Sequence, residues 1–431
     1  MVSPSSYSES PISGMRLSSV VPAKQTGNKD HPLTDLDLAV KLHYVRAVYF
    51  FDSEAVRGLT INDLKTPMFK LLDIYFTAAG RIRRSETTGR PFLKCNDGGV
   101  RFVEAFCDKT IDDLLNINGD SRDNCLAYYQ TLGPDLPFSP PVLVQFTWFK
   151  CGGVSLGLSW AHIIGDPISA STFVNKWALI LAGHIPIKSL HSPKPRKSET
   201  PVSLPGKSSP MKRVEPVGDH WKFSNNCKME TQSFQITSKQ LAHMASRVCA
   251  PANVSHFEVL SAVIWKSLSK FREDSGPRVV TICAYNNLGN RENDGPTNDL
   301  VLSTIGADFN VRKVDISELA VLIADKKRVD GNSLAEEIFS EEESESSDLI
   351  VYGANLTFVN MEEADVYGLK LQGKKPVFVN YAIDGVGNEG IVMILRGPDE
   401  EDGCGRTVTV VLPQDQLTNL EKELNQEWSV A

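Results

Sequence analysis

The sequence predicts an α/β or α+β protein with a sheet in each of two domains. Three observations carry that prediction. Strand-like and helix-like runs interleave in both halves. A Pro-, Ser- and Lys-rich stretch lies between His184 and His220, with the composition of a solvated crossover rather than of core. The length of 431 residues suits two hydrophobic cores better than one. The expected division is residues 1–184, a crossover over 185–219, and residues 220–431.

Taken in order, apolar residues at helical spacing predict a helix over Ile61 to Ile82. Strands are expected at Val100 to Phe106, Val142 to Phe149 and Val154 to Trp160. The last two flank Cys151-Gly152-Gly153, which supplies turn residues, so they read as a hairpin buried on at least one face. A helix over Ile168 to Leu181 follows. Asp166 is a favoured cap, Pro167 is tolerated at the first helical position, and Phe173, Trp177 and Leu181 keep helical spacing. Beyond the crossover come helices at Ser238 to Ser246 and Ser255 to Phe271, strands at Val279 to Cys283 and Thr407 to Leu412, and a helix at Gln414 to Leu424. The acidic run Glu336 to Asp348 has few bulky residues and is expected to be a surface loop.

Composition excludes several functional classes. The formal charge is 45 − 53 = −8, which disfavours general attraction to nucleic acid or anionic lipid. The basic residues of the crossover read as a solubility device. Eight cysteines carry no CxxC pair, so neither a zinc ribbon nor a disulfide framework is written, and no metal site is expected. The polar, Ser-rich first twenty residues lack a secretory core, which leaves the sequons at Asn253 and Asn355 unused. A membrane span needs about 18 to 20 successive apolar residues, and Val142 to Ile164 is broken by Gln145, Lys150, Gly152 and Gly153.

The segment most able to carry chemistry is SWAHIIGD, Ser159 to Asp166. His162 stands at the exit of a buried strand, just before a helix, where a side chain can project from a rigid scaffold. An imidazole with an ordinary pKa near 6.5 can take a proton from an attacking hydroxyl or amine. His162-x-x-x-Asp166 could thus pair a general base with a supporting carboxylate. The same residues also fit a core histidine satisfied by the backbone and a simple helix cap. Gly153-Val154-Ser155-Leu156-Gly157 matches a hydrolase elbow in letters only, because Ser155 falls early in a strand rather than on a strand-to-helix turn.

With LTDLDLAV at Leu33 to Val40, VSHFEVLSAVIWKSL at Val254 to Leu268 and VVLPQDQLTNLEKEL at Val410 to Leu424, the HxxxD segment resembles the plant acyl-CoA-dependent acyltransferases of the BAHD family. That resemblance implies two similar-sized α/β domains, each a mixed sheet with helices, joined by a long crossover and separated by a channel. It implies His162 as candidate general base, Asp166 as structural support of the motif, acyl-CoA as substrate or ligand, and no tightly bound cofactor. The sequence departs from the pattern at Pro167, where the family has Gly, and in TICAYNN, Thr281 to Asn287, which lacks the family's arginine, the nearest being Arg291. The DFGWGKP signature survives at best as Lys370 to Pro376, or as Asp365 to Leu369 with altered spacing. Lys374 and Lys375 are left facing either CoA phosphates or, preferably, solvent.

These departures, with KLHYVRAVYFF, FKCGG, YGANLTFVN and KKPVFVNYAIDGVG, make the chain similar to the eceriferum and glossy-type subgroup of cuticular wax synthesis. The subgroup implies an accessory protein of very-long-chain fatty acid elongation. Its partner would be a ketoacyl-CoA synthase, the condensing enzyme of the elongase, and its ligand very-long-chain acyl-CoA. Its place would be the cytosolic face of the endoplasmic reticulum or the cytosol, as a monomer by itself. The alternative is a catalytic acyl-CoA-dependent acyltransferase to an alcohol or amine, with His162 as base.

Overall fold

The computed structural model describes residues 11–116, 125–184, 209–249, 254–272, 278–286, 295–326, 328–340, 347–398 and 405–430. Residues 185–208 of the crossover, the Asn253 sequon, Asn287, Arg291 and the acidic residues 341–346 lie outside them.

Two large mixed sheets organise the described residues. The first has six strands in the order Ile12–Val20, Val100–Cys107, Val142–Phe149, Val154–Ala161, Tyr44–Phe51 and Phe378–Asp384. Its pairs are antiparallel except Val100–Cys107 with Val142–Phe149. The second has seven, in the order Met229–Ile236, Arg406–Pro413, Ile391–Arg396, Leu356–Met361, Val279–Tyr285, Leu300–Gly306 and Val329–Asp330. Leu356–Met361 runs parallel to both of its neighbours. Helices pack on each sheet, so the α/β class with a mixed sheet in each half holds. The strand Phe378–Asp384 comes from late in the chain yet closes the edge of the first sheet.

The hairpin forms as its turn chemistry requires. Gly152 adopts φ 82°, a conformation glycine accepts without steric cost, and the Phe149 and Gly152 amides donate to Gly153 and Phe149 carbonyls. Both of its faces are covered. Every residue of Val154–Ala161 is buried, Ser159 donates to the Tyr128 carbonyl at 2.8 Å, and a Cβ on Gly157 would lie 2.0 Å from the Leu126 carbonyl oxygen.

Two expectations are corrected. The helix at Ile61 stops at Leu72; a 3₁₀ turn at Phe76–Ala79 and a strand at Arg81–Arg84 follow, so Ile82 serves the core from a strand. The acidic run is not wholly a loop. Glu336 to Ser340 complete the helix Gly331–Ser340, with Ile338 and Phe339 packed on the core. Asp348 begins a buried strand, pairs with Lys41 and accepts a hydrogen bond from the Val217 amide. Its apolar minority suffices because only one helix face is covered.

Candidate functional site around His162

The strand Val154–Ala161 runs into a 3₁₀ turn over His162–Ile164, and Asp166 then caps the helix Pro167–Leu181, with Pro167 at its start. Two contacts fix the turn. The His162 amide donates to the His43 carbonyl at 3.0 Å, and its carbonyl accepts from Asn298 Nδ2 at 2.9 Å. The same Asn298 nitrogen donates to Asp37 Oδ1 at 2.8 Å, tying the turn to the capping box Thr34–Asp37 of the first helix.

Asp166 is fully buried and takes two backbone N–H groups, from Ser169 at 2.9 Å and from Asp299 at 3.1 Å. Its own amide donates to the Thr297 carbonyl. The carboxylate therefore closes one helix and anchors the segment before the strand Leu300–Gly306. Pro167 fits because the first helical position needs no amide donor.

The His162 ring is also fully buried. Its Nε2 lies 3.0 Å from the Tyr352 hydroxyl, a hydrogen bond whose donor depends on the imidazole tautomer. Tyr352, likewise fully buried, follows the strand Asp348–Ile350. Its hydroxyl also meets the Tyr285 hydroxyl at 3.4 Å and Cys283 Sγ at 4.0 Å, both on Val279–Tyr285. His43 Nε2 accepts from the Val351 and Tyr352 amides at 3.1 and 3.4 Å, and its ring meets that of Tyr352 edge-on at 4.9 Å.

Burial sets the electrostatics. Loss of water lowers His162 to about 4, with Asp166 opposing the shift. His43 falls to about 3 by the same cause, reinforced by His162. Cys283 is pushed up to about 12, and the Tyr352 phenol well above its ordinary value, both by desolvation. The same desolvation therefore disfavours the charged forms of His162, His43, Cys283 and Tyr352 alike. A neutral imidazole beside a neutral phenol can pass a proton along a hydrogen bond, but with this basicity it is a weak base for an external acceptor.

Sequence reasoning placed His162 and Asp166 correctly at a strand exit and a helix cap. It missed His43, Asn298, Cys283, Tyr285 and Tyr352, which reach the turn from positions distant in the chain. A buried-looking His within KLHYVRAV was the one local signal. The remnants of the second signature lie apart from this cluster. Lys374 pairs with Glu54 at 3.1 Å, both well exposed, while Gln372 and Gly373 form a tight turn at positive φ. Asp365 offers its carbonyl to Asn175 Nδ2 at 2.7 Å. Ser155 sits buried within its strand, far from an elbow geometry. Among the described residues no helix is long and apolar enough to cross a membrane.

Comparison with known proteins sets this geometry in context. The sequence matches the Transferase family over residues 11–427. It is 41% identical over 428 residues to Protein ECERIFERUM 2 of Arabidopsis thaliana, covering 96% of this chain and 98% of that one. Vinorine synthase superposes with a TM-score of 0.67 at 19% identity, over 95% of this chain and 98% of that one. F. graminearum TRI101 complexed with ethyl coenzyme A gives 0.67 at 14%, over 93% and 98%. At such identities the solved structures establish the fold.

Proposed function

Since the chain belongs to the Transferase family, we propose that it is an accessory protein of very-long-chain fatty acid elongation for cuticular wax. It widens the chain-length range of a ketoacyl-CoA synthase at the cytosolic face of the endoplasmic reticulum without using His162 as a base. The observation that carries this reading is the state of His162. The ring is sealed from solvent, bonded at Nε2 to Tyr352 and lowered in basicity by burial. A general base needs an open nitrogen within hydrogen-bond reach of its acceptor and a pKa near the working pH.

The similarity to ECERIFERUM 2 across both whole chains supports placing it in wax metabolism. Coenzyme A, bound by TRI101 in its solved complex, supports acyl-CoA as the ligand here. In this reading Asp166 is a structural group, and the division stays at residues 1–184, 185–219 and 220–431, with the late strand Phe378–Asp384 reaching back to the first sheet.

The test is the acyl chain-length profile of yeast expressing a plant wax condensing enzyme alone, with this protein, and with its His162→Ala form at matched expression. Longer acyl products are expected with both forms. Longer products with the wild type alone would restore the acyltransferase alternative with His162 as base. No lengthening with either would overturn the elongation role.

A further inference from the structure

For base-assisted transfer, the acceptor's oxygen or nitrogen must sit about 2.6 to 3.2 Å from the imidazole nitrogen. At Nε2 that position is already filled, by the Tyr352 hydroxyl at 3.0 Å, while Nδ1 is buried and has no hydrogen-bond partner among the described residues. The phenol is held there from behind. His43 takes the amides of Val351 and Tyr352 and stacks edge-on against the ring. The next residue, Gly353, turns at φ 82° where a Cβ would lie 2.5 Å from the backbone of Gly387. The Tyr352 hydroxyl also meets that of Tyr285 at 3.4 Å, so the hydroxyl chain from His162 ends on a half-buried side chain.

We propose that Tyr352 is a built-in occupant of the acceptor seat: its phenol fills the place of an alcohol or amine beside His162, and Tyr285 forms the outer wall through which that seat reaches solvent. The inference rests on the accessory reading and deepens it, because it gives an intact His-x-x-x-Asp turn a physical reason not to transfer acyl groups. Tyr352 is not itself the acceptor. Its burial disfavours the phenolate, which leaves the oxygen a poor nucleophile.

The experiment is labelling of purified full-length protein with diethyl pyrocarbonate at neutral pH, each histidine followed by mass spectrometry. The reagent attacks neutral imidazole, so slow labelling of His162 reports shielding and not charge. In the wild type His162 should react at least about tenfold more slowly than exposed His184, as expected for a group reached only by local opening. Tyr352→Ala should remove most of that difference, and Tyr352→Phe, which keeps the ring, should keep most of it. Labelling of His162 in the wild type at the His184 rate would overturn the proposal. So would continued protection in a Tyr352→Ala protein with wild-type circular dichroism. Should that variant not fold, ¹⁵N-histidine NMR of Tyr352→Phe decides: the His162 Nε2 resonance must move when its hydroxyl partner is removed, and an unmoved resonance overturns the assignment. Failure here leaves yeast chain lengthening untouched. Failure of His162→Ala to lengthen chains sinks the accessory reading while the labelling result stands.

Discussion

His162 and His43 share one property with a measurable consequence: both bind a proton less readily in the folded protein than in the unfolded chain. Burial lowers them to about 4 and about 3 from an unfolded value near 6.5. Such groups stabilise the fold fully above pH 6.5, and that contribution is lost as pH falls toward their folded values, because the unfolded chain then takes up the proton first. Each costs about 1.4 kcal/mol per pH unit within that window. His162→Gln removes one titrating group, so its urea midpoint should fall less between pH 7 and 5 than that of the wild type, by roughly 2 kcal/mol in unfolding free energy. Asp37, whose carboxyl is raised by burial, acts in the opposite sense, and comparing the two proteins at each pH cancels it. Parallel pH dependences would show that His162 is hydrated in solution. The site was legible in sequence only as far as one turn of chain reaches. His162 and Asp166 lie in one segment, but Tyr352 stands 190 residues away from His162 and Asn298 stands 136 away.

The helix Pro167–Leu181 depends on its cap. Asp166→Ala removes the acceptor for the Ser169 amide, which costs about 1 kcal/mol, and strands the buried Asp299 amide for about 1 to 3 more. Thermal or urea unfolding should register about 2 to 4 kcal/mol. Asp166→Asn, which keeps one acceptor oxygen, should cost less; equal losses in both variants would mean that the charge, not the hydrogen bonds, matters. This helix was readable because cap, proline and apolar spacing agree. The Tyr44–Phe51 and Ile391–Arg396 strands were not, since burial on both faces removes the alternation that marks a strand. The helix from Ile61 was read too long for a related reason. Apolar spacing persists past Leu72, while the actual stop is a backbone event, a tightened last turn in which the Asp73 amide donates to Lys70. Ile338 and Phe339 show the converse, two bulky residues sufficient to seat an acidic helix.

At the scale of the molecule, one strand joins the two sheets. Phe378–Asp384 is hydrogen bonded along Tyr44–Phe51 in the first sheet, while Asn380 Oδ1 accepts from Ser233 and Thr409 of the second, each at 2.8 Å. At its end Asp384 takes Arg46 through two oxygens, at 2.6 and 2.9 Å. Arg46 is almost fully buried within the first sheet and lies over the Tyr129 ring, whereas Asp384 is partly exposed. Removing the carboxylate therefore leaves a buried guanidinium without its main counter-ion, a change that typically costs about 3 kcal/mol or more. Asp384→Ala should lower the unfolding free energy by that amount, read from the shift of the urea midpoint. Because the strand is paired into the first sheet and bonded through Asn380 to the second, loss should appear in a single transition by circular dichroism and by tryptophan fluorescence alike. The Arg46→Leu, Asp384→Leu pair should recover much of the loss, since it removes the charge that needed a partner. A variant that unfolds in two separated steps would show that the halves hold together elsewhere. A double variant no better than Asp384→Ala would assign the strand's hold to its backbone ladder instead of the ion pair.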